Sequence, residues 1–205
     1  RNVARGETAY DVGAIYGYWS LVLADLVGSE GRVVALEANP WLHWLLRRNI
    51  LVNGLGGVIS TERLAAAETA HDALSVRALL VGPAHGPFAG AFSREAGGAF
   101  CTAPAKALQD LEPGNVDFLR IGVAAQAHRV VAGLGGLLDR NPRLRILLDF
   151  DANRCVEARA MLEALSAHFP LRFVDGDARA KGITIDELLQ ERRVTTLFMS
   201  RQEPA

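Results

Sequence analysis

The chain has 205 residues, half of them hydrophobic and 22% charged, with a formal net charge of -1. That suffices for one well-cored α/β domain of ordinary globular composition, and near-neutral charge excludes a basic face for nucleic acid or an anionic membrane. The apolar runs are too short to span a bilayer, and two cysteines, Cys101 and Cys155, cannot build a metal cluster by themselves. No signal peptide is visible, and the cysteines read as free thiols of a cytoplasmic protein. The chain starts at Arg1, about eight residues before its first strand. We therefore expect one domain over residues 1–205, excised from a longer protein whose other domains are possible partners.

In chain order, Thr8–Val12 is a short apolar strand, and Gly13-Ala-Ile-Tyr-Gly17 is a loop. Tyr18–Val27 has helical spacing of apolar residues, with Asp25 on the other face. After the stop at Gly28–Gly31, Arg32–Glu37 has the near-continuous aliphatic content of a strand buried on both faces. This is a βαβ unit opening a nucleotide site. Glycines let the backbone approach a ligand, a helix N-terminus offers free N–H groups, and an acid at the end of the second strand can accept from a ribose diol. The loop lacks the Gly-x-Gly-x-x-Gly of a dinucleotide fold and the Gly-Lys-Ser/Thr of a P-loop.

What remains is Asp11-x-Gly13-x-x-x-Gly17, with Glu37 after the second strand. This resembles the site of class I S-adenosyl-L-methionine methyltransferases. Together with Glu37-Ala-Asn-Pro40 and Asn49-Ile-Leu-Val-Asn-Gly54 it resembles, more narrowly, the FkbM family. The resemblance implies a doubly wound, Rossmann-like, mostly parallel sheet of seven strands with an antiparallel last strand. It implies S-adenosyl-L-methionine as cofactor, held by Asp11, Gly13, Ala14, Tyr16, Gly17, Glu37, Asn39 and Ala66, and a sugar or metabolite hydroxyl as methyl acceptor.

Pro40 opens the next helix, with Trp41, Leu42, Trp44, Leu45, Leu46, Ile50 and Leu51 as its apolar stripe and Asn53-Gly54 as its stop. The two tryptophans could frame an adenine ring, with core packing the expected role of at least one. Val58–Leu64 is the third strand, and Ala65–Glu68 follows where small residues would lie against adenine. Residues 71–102 read as a hairpin excursion: strand Ala73–Val81, turn Gly82–Pro87, return strand Phe88–Phe92 and loop Arg94–Gly98. Thr102–Leu111 leads to the fourth strand, Val116–Val123. One helix over Gln126–Leu138, a fifth strand Arg145–Phe150 and a long helix Ala152–Phe169 come next. Strand Leu171–Val174, helix Ile183–Leu189 and strand Thr195–Met199 close the chain.

One departure from the FkbM pattern bears on chemistry. Where that family carries Lys-x-Asp-x-Glu-Gly-x-Glu, this chain has Arg120, Gly122, Ala124, Ala125 and Ala127. Three carboxylates are gone, and the loop Asn is Ile15. The cofactor half reads as kept and the acceptor half as stripped. The nearest replacement acids or bases are Asp149 and Asp151, after the fifth strand, and His128. The other histidines have no metal spacing, so no metal is expected. The leading expectation is an O-methyltransferase with weakened or lost activity. Its rival is a non-catalytic module that keeps the fold for binding or assembly.

Overall fold

The computed structural model describes residues 2–78, 93–95, 98–111 and 114–203. Strand β1 (Thr8–Val12) pairs in parallel with β2 (Arg32–Leu36), which pairs in parallel with β3 (Ile59–Glu62). On its other side β1 pairs in parallel with β8 (Phe118–Ile121), and β8 with β9 (Arg145–Phe150). The last strand, β12 (Thr195–Met199), runs antiparallel to β9 and to β10 (Arg172–Val174). With β11 (Ala180–Gly182), the order is β11-β10-β12-β9-β8-β1-β2-β3, so the winding reverses between β1 and β8. The sheet is the doubly wound, mostly parallel one expected, with its final strand antiparallel.

Among the described residues it holds eight strands rather than seven. The extra strand is β11 (Ala180–Gly182), which pairs with β10 across a tight turn. Asp175 builds that turn by accepting from the Asp177 and Arg179 N–H groups, each at 2.9 Å. Three polar or small residues gave this strand no hydrophobic signal.

Helices α1 (Tyr18–Val27) and α2 (Pro40–Val52) cover one face. Helices α3 (Ala127–Ala132), α4 (Gly135–Arg140), α5 (Ala158–Ser166) and α6 (Ile185–Gln190) lie against the other. Alternate residues of one strand serve opposite cores. Tyr10, Val12, Val34 and Leu36 pack toward α3–α6, while Ala9, Val33 and Ala35 pack toward α1 and α2. This is why β1 and β2 are apolar along most of their length.

A second sheet stands beside the first: β4 (Ala65–Ala66), β7 (Gly98–Lys106) and β5 (His71–Ala78), with β6 (Ser93–Glu95) also on β7. β5 runs antiparallel to β7 from His71↔Ala105 to Ala78↔Ala99. The segment before β8 is thus largely strand, and Ser93–Glu95 pairs across the position given to a loop. The expected turn Gly82–Pro87 and strand Phe88–Phe92 lie outside the described residues.

Two expected helices are shorter. The helix predicted over Gln126–Leu138 breaks at Gly133, where the Ala67 carbonyl oxygen occupies the space a Cβ would need. The chain restarts as α4, whose Gly136 N–H donates to the Gln109 side chain at 2.8 Å. The long helix predicted from Ala152 begins only at Ala158. Before it, the Asp151 carbonyl accepts from Arg154 and Cys155 and its carboxylate from Asn153, which closes a turn instead.

Candidate functional site

The loop after β1 is built on left-handed backbone: φ is 75° at Gly13, 56° at Ile15 and 99° at Gly17. A side chain at Gly13 would meet Val123 Cγ1 at 2.5 Å, and one at Gly17 would meet Leu46 Cδ1 at 2.7 Å. Both glycines are therefore required by backbone angle and by space. Ile15 is β-branched and has no such freedom; its backbone is strained.

Glu37 holds that loop. One carboxylate oxygen accepts from the Ile15 N–H at 2.8 Å and the other from the Asn39 N–H at 2.8 Å. Asn39 in turn caps α2, its side chain accepting from Trp41 and Leu42 at 3.0 and 3.2 Å. Glycine loop, strand end and helix start are so joined through one carboxylate. Glu37 is 7% exposed. Burial raises it from 4.5 to about 7, against the pull of the Asn39, Ile15 and Ala38 backbone N–H groups.

Asp11 lies behind the loop, wholly buried. Ser20 donates to it at 2.6 Å, and Arg120 Nη1 approaches it at 3.4 Å. Burial raises its pKa, and Arg120 and Ser20 counter that rise. Arg120 also donates to the Gly13 carbonyl at 3.2 Å and to Asp149 at 2.6 Å. Its guanidinium sits 5.8 Å from the Trp19 ring centroid. One arginine thus ties three neighbouring strands and the loop.

A cavity of about 430 Å³ opens at the carboxyl ends of β1, β2 and β8, within the range usual for small-ligand sites. Gly13, Ile15, Glu37 and Asn39 form one side. Leu64, Ala65 and Ala66 form the next, with Val76 and Arg77 of β5, and the loop Gly122–Gln126 with Arg154 faces them. Of the residues predicted from sequence, Gly13, Glu37, Asn39 and Ala66 line this space. Ala14 is buried beneath it, Tyr16 is exposed, and Gly17 caps α1. Asp11 supports the loop without lining the cavity.

The three candidate acids and bases lie apart from it. Asp149 is paired with Arg120 and accepts from Thr196 at 3.3 Å. Asp151 shapes the turn before α5. His128 gives its backbone N–H to Cys155, and its ring Nδ1 is buried without a hydrogen-bond partner. Trp41 and Trp44 stack on each other at 5.0 Å, away from the cavity. Arg77 and Arg154 were not singled out from sequence, since one is an arginine in an alternating strand and the other lies in a stretch that read as helix. Among the described residues, no cluster of His, Cys, Asp and Glu suits a metal ion, and no helix is long and apolar enough to cross a membrane.

No family model matches the chain. A 54-residue stretch is 46% identical to a protein-L-isoaspartate O-methyltransferase of Aeropyrum pernix, covering 26% of this chain and 21% of that protein. Among solved structures, the methyltransferase FkbM of Methylobacillus flagellatus superposes with a TM-score of 0.59 at 13% identity, over 94% of this chain and 43% of that one. The O-methyltransferase of Bacillus cereus, solved in complex with SAH, gives 0.53 at 15% identity, over 95% and 74%. The chain therefore spans about a fifth of the curated relative and under half of the FkbM structure. Its fold is the Rossmann-like fold of class I methyltransferases.

Proposed function

We propose that this domain binds S-adenosyl-L-methionine and directs transfer of its methyl group to an oxygen acceptor, as the FkbM-type enzymes that its motifs resemble do. The observation that carries the reading is Glu37: a buried carboxylate at the tip of β2, facing a cavity floored by the Gly13 loop. A carboxylate has about four acceptor sites, and the backbone N–H groups of Ile15, Asn39 and Ala38 engage three, so capacity remains for a ribose hydroxyl. Gly13 keeps the floor open, and Ala65 and Ala66 offer a flat apolar wall for a base.

When bound, the cofactor supplies an electrophilic methyl group on a sulfonium. The chain's part is to orient the two reactants and exclude water. The resemblance further suggests a sugar or small-metabolite hydroxyl as acceptor, and the two free cysteines a cytoplasmic setting. The test is calorimetric titration with S-adenosylhomocysteine. Glu37→Gln, checked for folding by circular dichroism, should weaken binding about 10–100-fold, the usual cost of losing charge-assisted hydrogen bonds. A folded parent that binds no S-adenosylhomocysteine would end this reading.

A second reading is supported by one specific feature. The loop after β8 presents Gly122, Ala124 and Ala125 to the cavity, with no acid or base among them. A domain that holds cofactor for binding or assembly, without turnover, would look like this. Tight S-adenosylhomocysteine binding without transfer to any acceptor would favour it.

A further inference from the structure

The resemblance implies a hydroxyl acceptor, but the side chains of the cavity argue for a different oxygen. Among the described residues that line it, the charged ones are Glu37, Arg77 and Arg154. Glu37 is committed at the β2 end, with each oxygen accepting a backbone N–H. Arg77, on β5, and Arg154, in the turn after β9, reach the cavity from two separate elements, and both are exposed. Among the described residues neither has an ion-pair partner. Besides Glu37, the charges that these lining residues bring to the cavity are therefore cationic, and the loop at Gly122, Ala124 and Ala125 holds no group able to remove a proton.

An alcohol acceptor fits this wall poorly. Its proton must be taken as the bond forms, and a positioned base for that step commonly contributes 10²–10⁴-fold. A carboxylic acid has lost its proton well below neutral pH, and planar guanidinium groups match a carboxylate in charge and shape. Resting on the reading that S-adenosyl-L-methionine is the methyl donor, we infer that the acceptor oxygen in this cavity belongs to a carboxylate, bound by Arg77 and Arg154 and converted to its methyl ester. One carboxylate oxygen donates an electron pair to the methyl carbon. The carbon–sulfur bond breaks, its pair stays on sulfur, and no proton moves. The missing acids after β8 then cost this reaction nothing, since it has no base to lose.

The test uses the whole protein loaded with S-adenosylhomocysteine, and benzoate, cinnamate and succinate as probes against benzyl alcohol, cinnamyl alcohol and butanediol. The carboxylates should bind at least about tenfold tighter than their alcohol counterparts. With methyl-labelled S-adenosyl-L-methionine, label should appear in an alkali-labile ester. Arg77→Gln and Arg154→Gln should each weaken carboxylate binding about 10–100-fold and leave S-adenosylhomocysteine affinity within about threefold. Three results would overturn the inference: no carboxylate bound better than its alcohol, label found only in alkali-stable ethers, or arginine variants whose loss falls on S-adenosylhomocysteine itself. Failure of the unaltered protein to bind S-adenosylhomocysteine is a separate outcome. It would remove the methyl donor and the inference together.

Discussion

The guanidinium of Arg120 fills the space into which a side chain at Gly122 would have to project. The two residues sit one turn of the β8 pleat apart, and the large one is possible because the other is glycine. The tip of an arginine can normally swing aside cheaply. This one cannot, because moving it releases Asp11, Asp149 and the Gly13 carbonyl at once. Arg120 and Gly122 are thus sterically coupled.

Gly122→Ala should accordingly destabilise the protein by about 1–3 kcal/mol, the usual cost of overpacking. In an Arg120→Lys background the same substitution should cost under about 1 kcal/mol, because a Lys side chain lacks the forked tip. Urea denaturation of the four proteins measures the coupling, expected at about 1–2 kcal/mol. Equal costs in both backgrounds would show that Arg120 does not set the choice at 122.

Asp149 offers a second check on the same network. Asp149→Asn removes the charge that Arg120 meets at 2.6 Å, and stability should fall by about 1–3 kcal/mol. S-adenosylhomocysteine affinity should stay within about threefold, since Asp149 does not line the cavity. A large loss of methyl transfer with no loss of stability would instead mark Asp149 as a base.

Glu37 gives the protein a pH dependence of definite sign. Its folded value, raised by burial to about 7, lies above its ordinary 4.5, so the folded state keeps a proton that the unfolded chain releases. Its contribution therefore declines as pH rises from about 4.5 to 7, by up to roughly 3 kcal/mol in total. Ligand binding should move the other way, strengthening through the same window as the carboxylate becomes an acceptor on both oxygens. Glu37→Gln should flatten both profiles. Thermal denaturation and calorimetry across pH 5–8 read the two slopes separately.

Ile15 is the strained point of the loop. Asn tolerates left-handed backbone and Ile does not, so Ile15→Asn should raise stability by roughly 1 kcal/mol. The Ile15 N–H bond to Glu37 would survive, because it is made by the backbone. A denaturation midpoint that does not rise would mean that the lost apolar contact outweighs the strain.

The sequence was most legible where signals are local. The run Thr8–Pro40 announced β1, its glycine loop, α1, β2 and Glu37, because parallel strands buried on both faces are apolar throughout and positive φ selects glycine. Gly13 and Glu37 were read from that run, Asn39 and Ala66 from the resemblance, and all four line the cavity. The need for glycine at 133, where the helix breaks, was hidden because the Ala67 carbonyl that a Cβ would meet comes from a distant part of the chain. Arg120 read as a substitute for Lys, since nothing local ties it to Asp11, 109 residues away, or to Asp149, 29 residues on. The turn from Asp151 to Glu157 was hidden as well, because its spacing imitates a helix while its carboxylate and carbonyl close a turn.

The cavity draws its walls from two separately hydrogen-bonded sheets. Glu37, Gly13 and Gly122 belong to the large one, while Ala65, Ala66, Val76 and Arg77 belong to the small one. The two are linked in chain order by only a short step from β3 to β4 and by β7 leading toward β8. A change in β5 can therefore alter what the cavity accepts without touching any ladder bond that supports Glu37. Replacing β5 alone would change the Val76 and Arg77 wall and leave in place β7, which pairs with Ala65 and Ala66, and the Gly13 and Glu37 side.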